Sequence, residues 1–304
     1  MLRVLFCDKE ERKTLKAEKR SIRKEGERIR NIDPIHFAMA NLYKKRCDSE
    51  VYFSQCFDIG AVNAYLQKKN EGNPDYHYSL FQVVAAVLCK VLVLRPQMNR
   101  FIRGGEYYQR NGITISFTAK KTFSDTGGEE VISIHPSSSD NMDTVHSLIS
   151  QHVSSARDEN AKRNSTTGAV TLMTQMPHFI SKSIYAFVRL LGRCGLVPYS
   201  LRKDDSNYSS CMLANLGSIH LPCGYHHLNE WGNCSMMCII GEKKKVPQLE
   251  LDESVTVHDV VELGLTLDER IADGYYYSKT LCLIRKLFEN PELLDLPFDA
   301  EVDY

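Results

Sequence analysis

"LTLDERIADGYYYSKTLCLIRKLFENPELL", residues 265–294, is the stretch on which the reading of this chain turns. An apolar run suited to a strand leads into Asp268-Glu269-Arg270, then Asp273-Gly274. After it, Tyr277, Leu281, Ile284 and Phe288 fall on one face of a helix. Charged groups are therefore gathered at one tight strand-to-helix turn. Such groups either brace the backbone or meet a ligand.

Outward from that turn, strands are expected in "VTVHDVVELGLTL", "SMMCIIG" and "SCMLANLG", with "GEKKKVPQLELDES" as a hairpin connection. A helix is expected from Pro177, with Ile180, Ile184, Phe187 and Leu191 at spacings of four, three and four and Gly195 as its stop. Residues 140–164 carry sparse apolar positions (Met142, Val145, Leu148, Ile149, Val153), the pattern of a surface helix. Asn111-Gly112 and Asp125-Thr126-Gly127-Gly128 bracket "ITISFTAKKTF", and "EVISIHP" follows, which spells an antiparallel meander. The run Val51, Phe53, Phe57 alternates like a strand before the pattern turns helical. Residues 79–94 read as a buried helix that stops at Arg95-Pro96, because the residue before proline is pushed out of helical geometry. Helices separated by hairpins give an α+β fold with a mixed, largely antiparallel sheet.

Lysine plus arginine and aspartate plus glutamate both number 38, so no net charge steers the chain to nucleic acid or anionic lipid. "LFQVVAAVLCKVLVL" is too short for a membrane span and Lys90 interrupts it. "MLRVLFC" lacks the features of a signal peptide, so the ten cysteines point to reduced thiols in a cytoplasm. Residues 1–32 are expected to form a charged extension and residues 33–304 the folded domain, with Pro34 in a first helical turn. "RGGEYYQRNG" has neither the Walker spacing nor a dinucleotide fingerprint.

The opening stretch resembles the C-terminal signature of the 2-oxoacid dehydrogenase acyltransferase catalytic domain, which has a chloramphenicol acetyltransferase-like fold. That family reads Asp-His-Arg, two residues, Asp-Gly, then a helix ending in Glu-Asn-Pro. Asp268, Arg270, Asp273, Gly274 and Glu289-Asn290-Pro291 match. "SCMLANLGSIHLPCGYHHLNEWGNCSMMCIIGEKKKVP" is similar to the family's Asn-Leu-Gly strand, loop and second strand. "RPQMNRFIRGGEYYQRNGITISF" is similar to its segment with a paired-isoleucine strand. The resemblance implies a homotrimer with active sites shared between protomers. It also implies acyl transfer from or to coenzyme A thioesters, with a thiol acceptor and no metal. A lipoyl domain and a subunit-binding segment are expected to be missing, which makes this a standalone form.

In the family the motif histidine takes the proton of the attacking thiol, and a serine before Asn-Leu-Gly donates to the oxyanion. Here Glu269 and Ala214 stand at those positions. Full proton transfer from a thiol to an ordinary glutamate is uphill by roughly 6 kcal/mol, against roughly 3 to histidine. Activity is therefore handicapped but open, and the alternative is a degenerate scaffold or acyl-ligand binder. Glu269 is either a substituted base or the partner of an ion pair with Arg270. Asp273 braces that base, and Asp268, Arg270 and Gly274 serve as structural members of the turn. Asn215, His226 and His227 are candidates for substrate contact, and a histidine of "YHHLNEWG" is an alternative base. Lys243, Lys244 and Lys245 fit either a solvated turn or a phosphate contact. Cys211, Cys223, Cys234 and Cys238 match no zinc spacing.

Overall fold

The structure is a computed structural model that describes residues 25–304 except 44, 73, 121–123, 125–126, 158–172, 195–196, 198–201, 203–204 and 250–251. The basic residues before Glu25, the Asp125-Thr126 turn, the end of the 140–164 helix and Gly195 lie outside the described residues. Strand β1 (Gly26–Arg28) precedes helix α1 (Pro34–Leu42), where Asp33 accepts from the Ile35 amide at 2.9 Å and Pro34 takes the first helical position. In strand β2 (Glu50–Asp58), Tyr52 and Ser54 face solvent, while Phe53 and Phe57 turn inward. Helix α2 (Gly60–Lys69) follows, and then helix α3 (Leu80–Leu94). A capping box between Ser79 and Gln82 starts α3, and Arg95-Pro96 ends it.

Strands β3 (Arg100–Arg103) and β4 (Glu106–Arg110) form a hairpin whose turn, Gly104-Gly105, has φ of 59° and 79°. Strands β5 (Ile115–Lys120) and β6 (Glu129–Ile134) give the expected meander. Helices α4 (Met142–Arg157) and α5 (His178–Cys194) come next. Strands β7 (Cys211–Asn215), β8 (Met236–Leu249) and β9 (Val255–Asp268) then lead to helix α6 (Gly274–Glu289).

The main sheet has the order β2-β9-β8-β7-β5-β6. Its outer pairs are antiparallel and its centre, β5-β7-β8, is parallel. Helices α2, α3, α4 and α6 cover one face. There Phe57 stacks on Phe288 at 4.9 Å, Phe53 meets Tyr277 at 5.7 Å, and α3 is buried on nearly every side. Even Lys90 is inaccessible, with Nζ donating to the Pro297 carbonyl at 2.8 Å, and burial lowers its pKa. The α+β reading with a mixed sheet therefore holds, and the small sheet β1-β4-β3 sits beside it.

Two expectations change. The folded part reaches back into the supposed extension, because β1 pairs with β4 and Glu25 is buried among Arg103, Arg110 and Arg202. The apolar face predicted for α5 is partly open, with Ile180 and Phe187 exposed and Ile184 and Leu191 half-buried. Its close approach is at Gly192, where an added Cβ would lie 2.8 Å from the Trp231 ring.

The opposite face of the sheet, over β8, β9 and β2, carries the loop of residues 221–232. Glu242 donates its amide to the Leu221 carbonyl at 3.0 Å. Gly264 of β9 lies so close beneath the loop that a Cβ there would meet the Gly224 carbonyl oxygen at 2.5 Å and Cys223 Sγ at 2.8 Å. This crossing fixes where the loop's later residues land.

Candidate active site

At the corner after β9, the residues divide into locked groups and one loose one. Asp268 is 1 % exposed at its side chain and faces Arg270 in a two-point pair, with Nε to Oδ1 and Nη2 to Oδ2 both at 2.7 Å. Ser49 Oγ donates to the same carboxylate at 3.1 Å, and Arg46 Nε lies 3.9 Å away. Burial works against the Arg270 charge, but the Asp268 carboxylate outweighs it and raises the guanidinium's pKa. For Arg46, burial wins and lowers it. The remaining Arg270 fork donates to the Tyr43 carbonyl at 2.7 Å. Two phenols close the turn, Tyr277 onto the Asp268 carbonyl at 2.9 Å and Tyr107 onto the Arg270 carbonyl at 2.8 Å.

Asp273 is exposed and caps α6, accepting from the Tyr276 amide at 2.7 Å. Gly274 opens that helix with nothing within 4 Å of an added Cβ, so its place in the turn is not one of close packing. Glu269 differs from its neighbours. It is half-buried, and its carboxylate has no hydrogen-bond or ion-pair partner among the described residues. The ion pair between Glu269 and Arg270 does not form, because Asp268 already holds the guanidinium on both edges.

Of the expected substrate contacts, Asn215 turns its side-chain oxygen onto its own chain, accepting from the Ser218 amide at 3.2 Å. Ala214 pairs with Ile239 inside the sheet. His226 is exposed and has no partner among the described residues. His227 stands in a built cluster. Its Nδ1 lies 2.9 Å from Glu50 Oε2, although the ring is 83 % exposed and the Glu50 side chain only 2 %. Glu50 Oε1 accepts from the Leu228 amide and Oε2 from the Tyr52 hydroxyl, both at 2.5 Å. The bond to Glu50, with burial second, raises the Tyr52 phenol's pKa and keeps it a donor. Tyr225 packs edge-on to Tyr52 at 5.3 Å. The cluster sits at the corner's end of the sheet, since Glu50 is the register partner of Asp268.

Downstream, the loop is tied to the turn before β2. Glu230 accepts from the Arg46 and Cys47 amides at 2.6 and 3.0 Å, and the Arg46 guanidinium donates to the Asn229 carbonyl and, at 2.9 Å, to the Gly232 carbonyl. Behind the corner lies a cavity of about 630 Å³ lined by Lys45, Arg46, Arg103, Arg189, Glu230 and Arg270 among others. Neither Glu269 nor His227 lines it. Arg46 Nε and Arg103 Nη1 are buried there without a hydrogen bond. Lys243, Lys244 and Lys245 pair with residues 259–261 of β9, about 23–30 Å along the strand from Asp268. Lys245 is held by Asp259 at 2.9 Å. They are not part of the corner. Among the described residues no three His, Cys, Asp or Glu side chains converge on a metal position.

Residues 199–296 match the family described as 2-oxoacid dehydrogenases acyltransferase (catalytic domain). No curated protein matches the chain. A probable dihydrolipoamide acetyltransferase from Listeria monocytogenes is similar over 87 % of this chain and 95 % of its own, at 17 % identity and a TM-score of 0.55. The cubic core of a pyruvate dehydrogenase multienzyme complex covers 88 % and 94 %, at 11 % identity and a TM-score of 0.57. Chloramphenicol acetyltransferase covers 86 % and 99 %, at 10 % identity and 0.54. The chain thus has the chloramphenicol acetyltransferase-like fold, and its second half carries the acyltransferase signature.

Proposed function

We propose that this chain transfers acyl groups between thiols, from or to coenzyme A thioesters, at the corner of residues 268–274. The observation that carries the reading is the half-buried Glu269, without a hydrogen-bond or ion-pair partner among the described residues, in a turn whose other charged groups are all engaged, inside the segment that matches the family. A turn used only as a brace has no reason to leave its central carboxylate loose. The frame, with Asp268, Arg270 and two phenols, fixes the backbone on either side of that residue, and placement supplies much of a transfer enzyme's rate.

The coenzyme A carrier fits the chemistry behind the corner. Lys45 and Arg189 have no ion pair among the described residues, and Arg46 and Arg103 retain buried N–H groups to offer to phosphates. When bound, the thioester supplies an activated carbonyl. The chain's own part is to hold the carrier, place Glu269's negative charge at the corner and accept the proton of the attacking thiol. We further propose a homotrimer, with each transfer point completed by a neighbour. A cubic core such as that of the similar pyruvate dehydrogenase complex has threefold axes at its corners. Exposed Ile35, Phe37 and Leu42 on α1, just before the Tyr43 carbonyl that Arg270 binds, would be covered by such a neighbour. Free thiols at Cys47, Cys56, Cys89, Cys211, Cys223, Cys234, Cys238 and Cys282 suit a reducing cytoplasm. No helix among the described residues is long and apolar enough to cross a membrane.

The test is release of free thiol when the full chain is incubated with acyl-coenzyme A thioesters of increasing chain length and with dithiol or monothiol acceptors. Turnover above heat-inactivated protein is expected, and none across the set overturns the reading. Ala214, a methyl where an oxyanion donor belongs, favours the second reading of a non-enzymatic acyl binder. That reading predicts saturable thioester binding with no thiol release.

A further inference from the structure

We infer that His227, oriented by Glu50, is the general base of this transfer, in place of the histidine that the 268–274 motif lacks. The inference rests on the acyl-transfer reading and names the proton acceptor within it.

Three features separate His227 from an ordinary surface histidine. First, its ring is fixed from behind by a carboxylate that is itself almost inaccessible: Glu50 is 2 % exposed at its side chain and 2.9 Å from Nδ1. An anionic carboxylate on Nδ1 selects the tautomer with the proton there, leaving the Nε2 lone pair free to accept. Second, the backbone on either side is anchored. The next residue, Leu228, is buried and donates its amide to the same Glu50 carboxylate, while Gly224 is seated over Gly264. The imidazole is exposed without being loose. Third, it is at the right end of the sheet. Glu50 is directly paired with Asp268 across β2 and β9, and Asp268 is the residue before Glu269.

The carboxylate against Nδ1 is placed to hold the ring while Nε2 accepts a proton. An ordinary carboxylate is a poor acceptor for a thiol proton, and an imidazole relieves that mismatch. In the transfer step the S–H proton of the acceptor moves to His227 Nε2, and the thiolate forms a C–S bond at the thioester carbonyl carbon. The tetrahedral intermediate then breaks its other C–S bond. The departing thiolate takes the proton back from Nε2, so His227 ends as it began and no further reactant is needed. His227 is the catalytic residue here and Glu50 the positioning residue. The groups in contact with the ring are Glu50 and Tyr52 from β2; Tyr225 of its own loop packs on Tyr52, and Cys47 from the turn before β2 acts on that same phenol.

The experiment compares thioester–thiol exchange by wild type, His227→Gln, Glu50→Gln and Glu269→Gln across pH, with circular dichroism to confirm folding. His227→Gln is expected to lose about 100-fold or more in kcat and to abolish the acid limb of the pH–rate profile. Glu50→Gln is expected to lose about tenfold and to displace that limb, which a merely structural residue would not do. His227→Ala is expected to recover part of its rate when free imidazole is added. A wild-type rate and unchanged profile in His227→Gln overturn the inference and leave acyl transfer standing. So does a larger loss at Glu269 than at His227. Absence of turnover in wild type overturns both.

Discussion

Asp268 and Glu50 face each other across one strand pair, and their side chains are hidden to the same degree, 1 % and 2 % exposed. Their partners differ in kind. Asp268 is held by a guanidinium on two edges and a hydroxyl. Glu50 is held by an amide, a phenol and an imidazole, and the imidazole can gain or lose its charge. A carboxylate matched to a permanent cation is frozen into the architecture. One matched to a titratable ring, with that ring turned outward, is set up to support proton movement. The contrast locates rigidity and reactivity at one register position of two facing strands.

The largest effect is expected from Asp268→Ala, which leaves the Arg270 guanidinium buried without its partner. Denaturant melts should show a loss of about 3–5 kcal/mol. If that variant is no less stable than wild type, the frozen half of the contrast is wrong. Glu25→Gln is a control elsewhere in the fold, expected to cost about 3 kcal/mol. Burial works against the Glu25 charge, but Arg103, Arg110 and Arg202 outweigh it and hold its pKa below 4.5. Its contribution is present above the unfolded carboxylate value and fades as pH falls through the folded value. Melts between pH 6 and pH 3 should therefore show the wild type converging on the variant from above.

Glu50→Gln should cost only about 1–2 kcal/mol, because a neutral amide still accepts from Leu228 and no buried cation is orphaned. A cost equal to that of Asp268→Ala would erase the distinction between the two carboxylates. Tyr277→Phe removes the phenol's bond to the Asp268 carbonyl, an expected loss of about 1 kcal/mol by thermal melt. Glu269→Gln should leave stability within about 0.5 kcal/mol of wild type, since its carboxylate has no hydrogen-bond or ion-pair partner among the described residues. A larger loss would assign Glu269 to the brace after all.

Much of this was legible in the chain. Alternation marked β2, the long apolar run marked α3, and the Asp-Glu-Arg…Asp-Gly signature marked the corner. What escaped had physical reasons. The β3–β4 turn carries Gly104-Gly105, a hairpin signal, but its strands are short and mixed in character. The open face of α5 has the periodicity of a buried helix, and periodicity does not say whether a partner belongs to the same chain. Pairing of Asp268 with Arg270 was hidden because Glu269, adjacent to the same arginine, was an equally local candidate. The Glu50–His227 contact joins residues 177 positions apart, and nothing in either neighbourhood announces the other. Their meeting depends on where the 221–232 loop crosses the sheet.

That crossing has an evolutionary and practical consequence at Gly264. Any other side chain there would lift the overlying segment from its seat while disturbing few contacts of the β-ladder itself, so reactivity and thermal robustness become independently adjustable. A Gly264→Ala protein should melt much like its parent yet hold its outward imidazole out of alignment, which makes this bare spot on β9 a dial for the chemistry rather than for the fold.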